Sequence, residues 1–221
     1  MASLLQSTAS AAHSTFASLA SVSPIKAGDA VPDVDIKIND MEDHINFSKL
    51  TGKNVLVVVP GAGYTSVELP PLVYTILTFP LSLSPLALFS LPSPAPRLNH
   101  PPSFTPTCSS QVPSYVSSYD DFSKKGVKDI YVVSVNDICV VNAWKEKMLG
   151  DSKAPIKFAA DDAGKFASGT GLVLDAQAIL GGPRLKRGAI VIEDGKVLSV
   201  VVEPSPGEVT ISSADEVLKT L

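Results

Sequence analysis

The clearest pattern in the chain is Val55-Leu56-Val57-Val58-Val59, an unbroken apolar run between Asn54 and Pro60. A run of this kind, rich in β-branched residues and without polar alternation, reads as a strand covered on both faces. Helices must then flank the sheet that holds it, and the run is predicted to be the sheet's centre. Ahead of it, Val34, Ile36 and Ile38 alternate with Asp35 and Lys37 as in a half-buried strand; a second short strand is read around Ile45 to Phe47, and Ser48–Gly52 as a connection. Further on, Val112, Tyr115, Val116, Tyr119 and Phe122 recur at helical spacing and predict one helix to about Lys125, ended by Gly126. Pro113 should kink it, because its nitrogen cannot donate and its ring crowds the carbonyl of Ser109. Ile130–Val135 is a buried strand, and Asn136-Asp137 caps a helix carrying Val140, Val141, Trp144 and Met148. A short strand at Ile156–Ala159, a short helix over Asp161–Ser168 closed by Gly169, and a Gly-rich loop through Gly181-Gly182-Pro183 follow. Ala189–Ile192 and Val197–Val202 form a hairpin, since Asp194-Gly195 between them supplies the positive φ angles of a tight turn. Ser213-Ala214-Asp215-Glu216 reads as a capping box opening a last helix with Ala214, Val217, Leu218 and Leu221 on one face.

Strands first, then alternating strands and helices, then a hairpin and a helix describe an α/β protein. A thioredoxin-like fold, with a mixed central sheet flanked by helices, fits that order. Two stretches stand apart. Residues 1–23 hold Ala, Ser and Thr without an acidic residue, and read either as a disordered leader or as a mitochondrial transit peptide. Residues 63–103 have no charge between Glu68 and Arg97 and are dense in proline. Pro80 and Pro85 fall inside what would otherwise be an apolar span, so a membrane crossing is not expected. An irregular, Pro-rich segment of this length inside a compact domain is itself anomalous. The remainder, 24–221, is read as a single domain interrupted by that insert.

Charge and cysteine usage narrow the function. A net charge of -4 and a pI near 5.3 give no basic face for phosphates, so nucleic acid is not an expected partner. The two cysteines, Cys108 and Cys139, are too few for a disulfide framework, and neither forms a metal-binding spacing with His13, His44 or His100. No metal or other cofactor is expected.

The candidate chemistry sits at Cys108. A thiol reacts as thiolate, and the first turn of a helix favours negative charge through its unpaired N–H groups and the macrodipole. The helical pattern places Cys108 there. Thr105, three residues earlier, carries a hydroxyl able to accept from and donate to an oxygen-bearing substrate. Arg184, Lys186 and Arg187 cluster before a β run, with Arg187 expected at the edge of the sheet. The competing reading is a packed core thiol, since free cysteine is among the most buried residue types. Without a Cys-x-x-Cys partner, a thiol–disulfide oxidoreductase is disfavoured.

The stretch Phe104-Thr105-Pro106-Thr107-Cys108-Ser109, followed by Val112-Pro113, resembles the Pro-x-x-x-Thr-x-x-Cys motif of the peroxiredoxins, specifically the type II class of mitochondrial, peroxisomal, plant and fungal members. Residues 24–62 and 104–221 share the resemblance, including Val135-Asn136-Asp137, Trp144, Arg184-Leu185-Lys186-Arg187 and Val202-Glu203-Pro204. It implies a thiol peroxidase acting on hydrogen peroxide and alkyl hydroperoxides. Cys108 would be oxidised to sulfenic acid, Thr105 would bind peroxide and thiolate, and Arg187 would stabilise the thiolate and polarise the O–O bond. Pro60 is the expected motif proline, although Pro101 lies at the motif's own spacing from Cys108. Joining Ala62 to Phe104 restores Pro60-Gly61-Ala62-Phe104-Thr105-Pro106-Thr107-Cys108, so the insert is read as a translated, unspliced intron or gene-model error. The late resolving cysteine of some members is missing here, and Cys139 is expected to be packed. Recycling by thioredoxin or by glutathione with glutaredoxin is implied, as are a homodimer and a cytoplasmic or mitochondrial location. The alternative is an insert-disrupted, inactive or sensor-type protein whose thiol passes oxidation to a partner.

Overall fold

The computed structural model describes residues 22–61 and 106–221. The leader, residues 63–103, Thr105, Pro101, His13 and His100, on which expectations were stated above, lie wholly or mainly outside them. Nine strands and six α-helices are formed among the described residues. The strands are β1 Asp35–Ile38, β2 His44–Asn46, β3 Lys53–Val59, β4 Val127–Ser134, β5 Lys157–Ala160, β6 Val173–Ala176, β7 Gly182–Leu185, β8 Gly188–Glu193 and β9 Lys196–Val202. The helices are α1 Pro106–Ser117, α2 Tyr119–Lys124, α3 Ile138–Leu149, α4 Lys165–Gly169, α5 Gln177–Leu180 and α6 Ala214–Lys219.

A 7-stranded sheet has the order β2-β1-β5-β4-β3-β8-β9. β3, β4 and β5 run parallel, and every other pairing in it is antiparallel. This is the mixed sheet of the thioredoxin-like fold. The central position by order belongs to β4, with β3 beside it where the parallel part meets the hairpin. The unbroken apolar run splits its side chains between two cores. Val55, Val57 and Val59 point toward Cys108, Tyr115, Phe122, Trp144 and Val217, so α1, α2, α3 and α6 cover that face. Leu56 and Val58 point toward Phe47, Tyr131, Phe166, Leu172 and Leu185 on the other. No described helix is long and apolar enough to cross a membrane.

Local chemistry explains most of the boundaries. Asp194 and Gly195 adopt φ of 48° and 76°, both positive as the β8–β9 turn demands. Asp137 caps α3 by accepting from the Val140 N–H at 3.0 Å. Several expectations need correction. The helix after Cys108 runs through Pro113 but breaks at Ser118, giving α1 and α2 in place of one helix. The Ser114 and Ser117 hydroxyls donate back to the carbonyls of Gln111 and Ser114, offering the backbone a competing arrangement near the break. Asp161 precedes a shorter α4 and receives the N–H groups of Phe166 and Ala167, at 3.1 and 2.8 Å. Burial holds its carboxyl above the usual range despite these bonds. The supposed Gly-rich loop includes the antiparallel ribbon β6–β7 with α5 between its strands. Ser213 is the N-cap of α6, yet its side chain makes no capping bond.

Candidate active site

Cys108 is the third residue of α1, where first-turn N–H groups lack helical acceptors. Its side chain is completely buried. Arg187 precedes β8, and because β8 lies inside the sheet the arginine is 1% exposed, in place of the edge position expected for it. Its Nη2 donates to Cys108 Sγ at 3.1 Å across a sequence separation of 79 residues. Nη1 donates to Gln111 Oε1 at 2.6 Å, and Nε donates to the Pro206 carbonyl at 2.9 Å. All these acceptors are uncharged groups except the sulfur, which can become an anion. A guanidinium fixed this way favours negative charge on Cys108.

Pro60, at the end of β3, lines a cavity of about 340 Å³ together with Thr107, Arg187, Pro206 and the apolar Ile179 and Leu180. Gly61 leaves the strand at φ 125°, and a Cβ there would come within 2.5 Å of Asn136 Oδ1, so only glycine fits. Thr107 is tied to the far wall, its hydroxyl donating to the Gly207 carbonyl at 3.2 Å. The fold therefore gathers Cys108, Arg187 and Pro60 from distant parts of the chain. Thr105 lies outside the described residues. Cys139 is exposed, correcting its expected packed position: the buried phase of α3 is Ile138, Val141 and Trp144, which turns residue 139 outward.

The redoxin family pattern matches residues 95–218, more than half of the chain. Peroxiredoxin-2B of Arabidopsis thaliana is 32% identical over 206 residues, which cover 90% of this chain and all of that protein. The chain belongs to the peroxiredoxins. Peroxisomal membrane associated protein 20 of Schizosaccharomyces pombe is 46% identical over 121 residues, 55% of this chain and 78% of that one. Among solved structures, this peroxiredoxin resembles reduced Prx3 of Vibrio vulnificus in complex with hydrogen peroxide, with a TM-score of 0.63 and 26% identity over 89% of this chain and 99% of that one. Peroxiredoxin 5 of Alvinella pompejana gives a TM-score of 0.62 at 26% identity, covering 89% of this chain and 97% of that one.

Three polar residues behind the cysteine received no role from the sequence, Glu203 appearing there only as part of Val202-Glu203-Pro204. Gln111 is 1% exposed, Ser212 fully buried and Glu203 6% exposed. Gln111 had left one signal. It lies with Cys108, Val112 and Tyr115 at i, i+3, i+4 and i+7, a polar residue on an otherwise apolar face. Ser212 and Glu203 carried no periodic signal, since they come from the segment between β9 and α6 and from the residue just after β9.

Proposed function

We propose that this peroxiredoxin reduces hydrogen peroxide and alkyl hydroperoxides, with Cys108 as the attacking thiolate. The observation that carries this reading is the 3.1 Å contact from Nη2 of Arg187, a residue that lines the cavity, to the sulfur of a first-turn cysteine. In the step itself, sulfur attacks the nearer peroxide oxygen and forms an S–O bond as the O–O bond breaks. The released alkoxide or hydroxide takes a proton to leave as alcohol or water, and Cys108 remains as sulfenic acid. Thr105 and Pro60 complete the proposed pocket, Thr105 by hydrogen-bonding the peroxide. An external thiol then condenses with the sulfenic acid, releasing water, and a second thiol releases Cys108 by exchange. Cys108 and Cys139 are both free thiols, one buried and one exposed on α3, so no disulfide joins them here, and an external reductant is the reading proposed. Thioredoxin, or glutathione with glutaredoxin, is the proposed donor.

The similarity to Arabidopsis thaliana Peroxiredoxin-2B, over 90% of this chain and all of that protein, supports a type II assignment, and a homodimer is part of the same proposal. The proposal extends to residues 63–103 as a translated intron, supported by the intact motif that removing them creates. A mature message encoding Leu72–Leu91 contradicts that part. Steady-state peroxide consumption with each reductant tests the activity. Sustained turnover, retained in Cys139→Ser, is expected; consumption of one equivalent followed by arrest would identify a sensor, and loss of thioredoxin-dependent turnover in Cys139→Ser would make Cys139 the resolving thiol.

A further inference from the structure

Arg187 is held in place by a chain of hydrogen bonds whose direction is fixed at both ends. Its Nη1 can only donate, so the Gln111 atom facing it at 2.6 Å is the amide oxygen. The Ser212 carbonyl can only accept, so the Gln111 atom facing that carbonyl at 3.0 Å is the amide nitrogen. The same Nε2 also lies 3.0 Å from Ser212 Oγ. The Ser212 hydroxyl spends its proton on Glu203 Oε1, at 2.7 Å, which leaves its lone pair to accept from Gln111. Glu203 is itself locked, receiving the Ser212 N–H at 2.8 Å, the Thr210 N–H at 2.6 Å and the Thr210 hydroxyl at 2.6 Å.

We propose that Glu203 and Ser212 are positioning residues for the peroxidase reaction: through Gln111 they set the guanidinium of Arg187 against Cys108 without neutralising its charge. The inference rests on the peroxidase reading of the site. Its physical content is the spacing. A carboxylate bonded directly to Arg187 would compete with a thiolate for the same cation. Here the carboxylate acts through two uncharged groups, so its hold on the arginine is geometric while the positive charge stays directed at sulfur. The backbone keeps the two ends in register, because the Glu203 N–H donates to the Arg187 carbonyl at 2.9 Å. Tyr115 braces the same corner, its hydroxyl donating to the Ser212 carbonyl at 2.7 Å. Burial pushes the Glu203 carboxyl up, but its bonds from Thr210 and Ser212 more than offset this and hold it below the ordinary value. It stays ionised at neutral pH. Among the described residues, the charged and titratable groups next to this hydrogen-bond chain include Arg187, Lys186, Tyr115 and Cys108.

The test is the alkylation rate of Cys108 by iodoacetamide, followed on its own peptide by mass spectrometry so that Cys139 does not contribute, in the full chain and in Ser212→Ala, Glu203→Gln and the double variant. Near pH 7, Ser212→Ala should react about fivefold more slowly, as expected for losing one hydrogen bond in the chain. Glu203→Gln should slow it by at least about threefold, and the double variant should add little, since both changes cut one chain. The sign is decisive, because removing a nearby negative charge would by its field alone speed the reaction. Alkylation of Cys139, read from its own peptide in the same samples, should be unchanged, because Cys139 is exposed on α3. Unchanged or faster alkylation of Cys108 in a folded variant, or an equal deficit at Cys139, overturns the proposal. If Glu203→Gln does not fold, Ser212→Ala decides alone. Alkylation needs no peroxide, so a parent chain that fails to consume peroxide sinks the peroxidase reading without touching this measurement.

Discussion

Replacing Arg187 by lysine keeps the positive charge and removes the fork that spreads it. The guanidinium reaches the Pro206 carbonyl, Gln111 Oε1 and Cys108 Sγ at 2.9, 2.6 and 3.1 Å from three different nitrogens. A lysine ammonium places all its donors on one atom and cannot meet acceptors on three sides. Satisfying Gln111 and Pro206 leaves the sulfur without its donor. A hydrogen bond to a charged group is worth about 1.5–3 kcal/mol, so the second-order rate with hydrogen peroxide should fall on the order of ten- to a hundredfold. The loss belongs to the attack on peroxide, and is read from single-turnover oxidation of the reduced protein by stopped flow. A thermal melt alongside separates this loss from unfolding, because an arginine this buried also contributes packing. A folded Arg187→Lys variant oxidised within about threefold of the parent would refute the reasoning, since charge alone would then be sufficient.

Two further predictions concern the scaffold. Trp144 is fully buried and meets Phe158 edge-on at 5.4 Å, so Trp144→Ala should cost about 3–5 kcal/mol in denaturant unfolding. A cost under about 1 kcal/mol would mean that this core collapses around the gap. At Gly188, next to Arg187, a Cβ would come 2.3 Å from the Val201 carbonyl oxygen in the paired strand. Gly188→Ala must push β8 from β9, and should lower stability by about 1–3 kcal/mol while slowing peroxide reduction; unchanged stability would contradict the clash.

What the sequence revealed depends on how local each signal was. β3 and β4 were legible because Val55–Val59 and Ile130–Val135 are apolar on both faces, and the last hairpin because Asp194-Gly195 tolerates positive φ. The Cys108 helix start was legible too, and family resemblance joined it to Arg187. Short elements without a period were missed: β6, α5 and β7 read as a loop because glycines and a proline hide ribbon pairing. Cys139 was misread because Val140 and Val141 suggest a buried neighbourhood, whereas the helix phase set by Ile138, Val141 and Trp144 faces it to solvent. The Gln111–Ser212–Glu203 chain was out of reach because its links span 101 and 9 residues and join groups with no shared pattern. Only the fold brings them behind the cysteine.

The proposed peroxidase chemistry requires that Cys108 Sγ be the atom that meets peroxide. The direct measurement is peptide mass spectrometry after one equivalent of hydrogen peroxide in the presence of dimedone, which traps sulfenic acid. The predicted result is the adduct on the Cys108 peptide, with Cys108→Ser neither trapped nor able to consume peroxide. An adduct confined to Cys139, or undiminished peroxide consumption by Cys108→Ser, would contradict it.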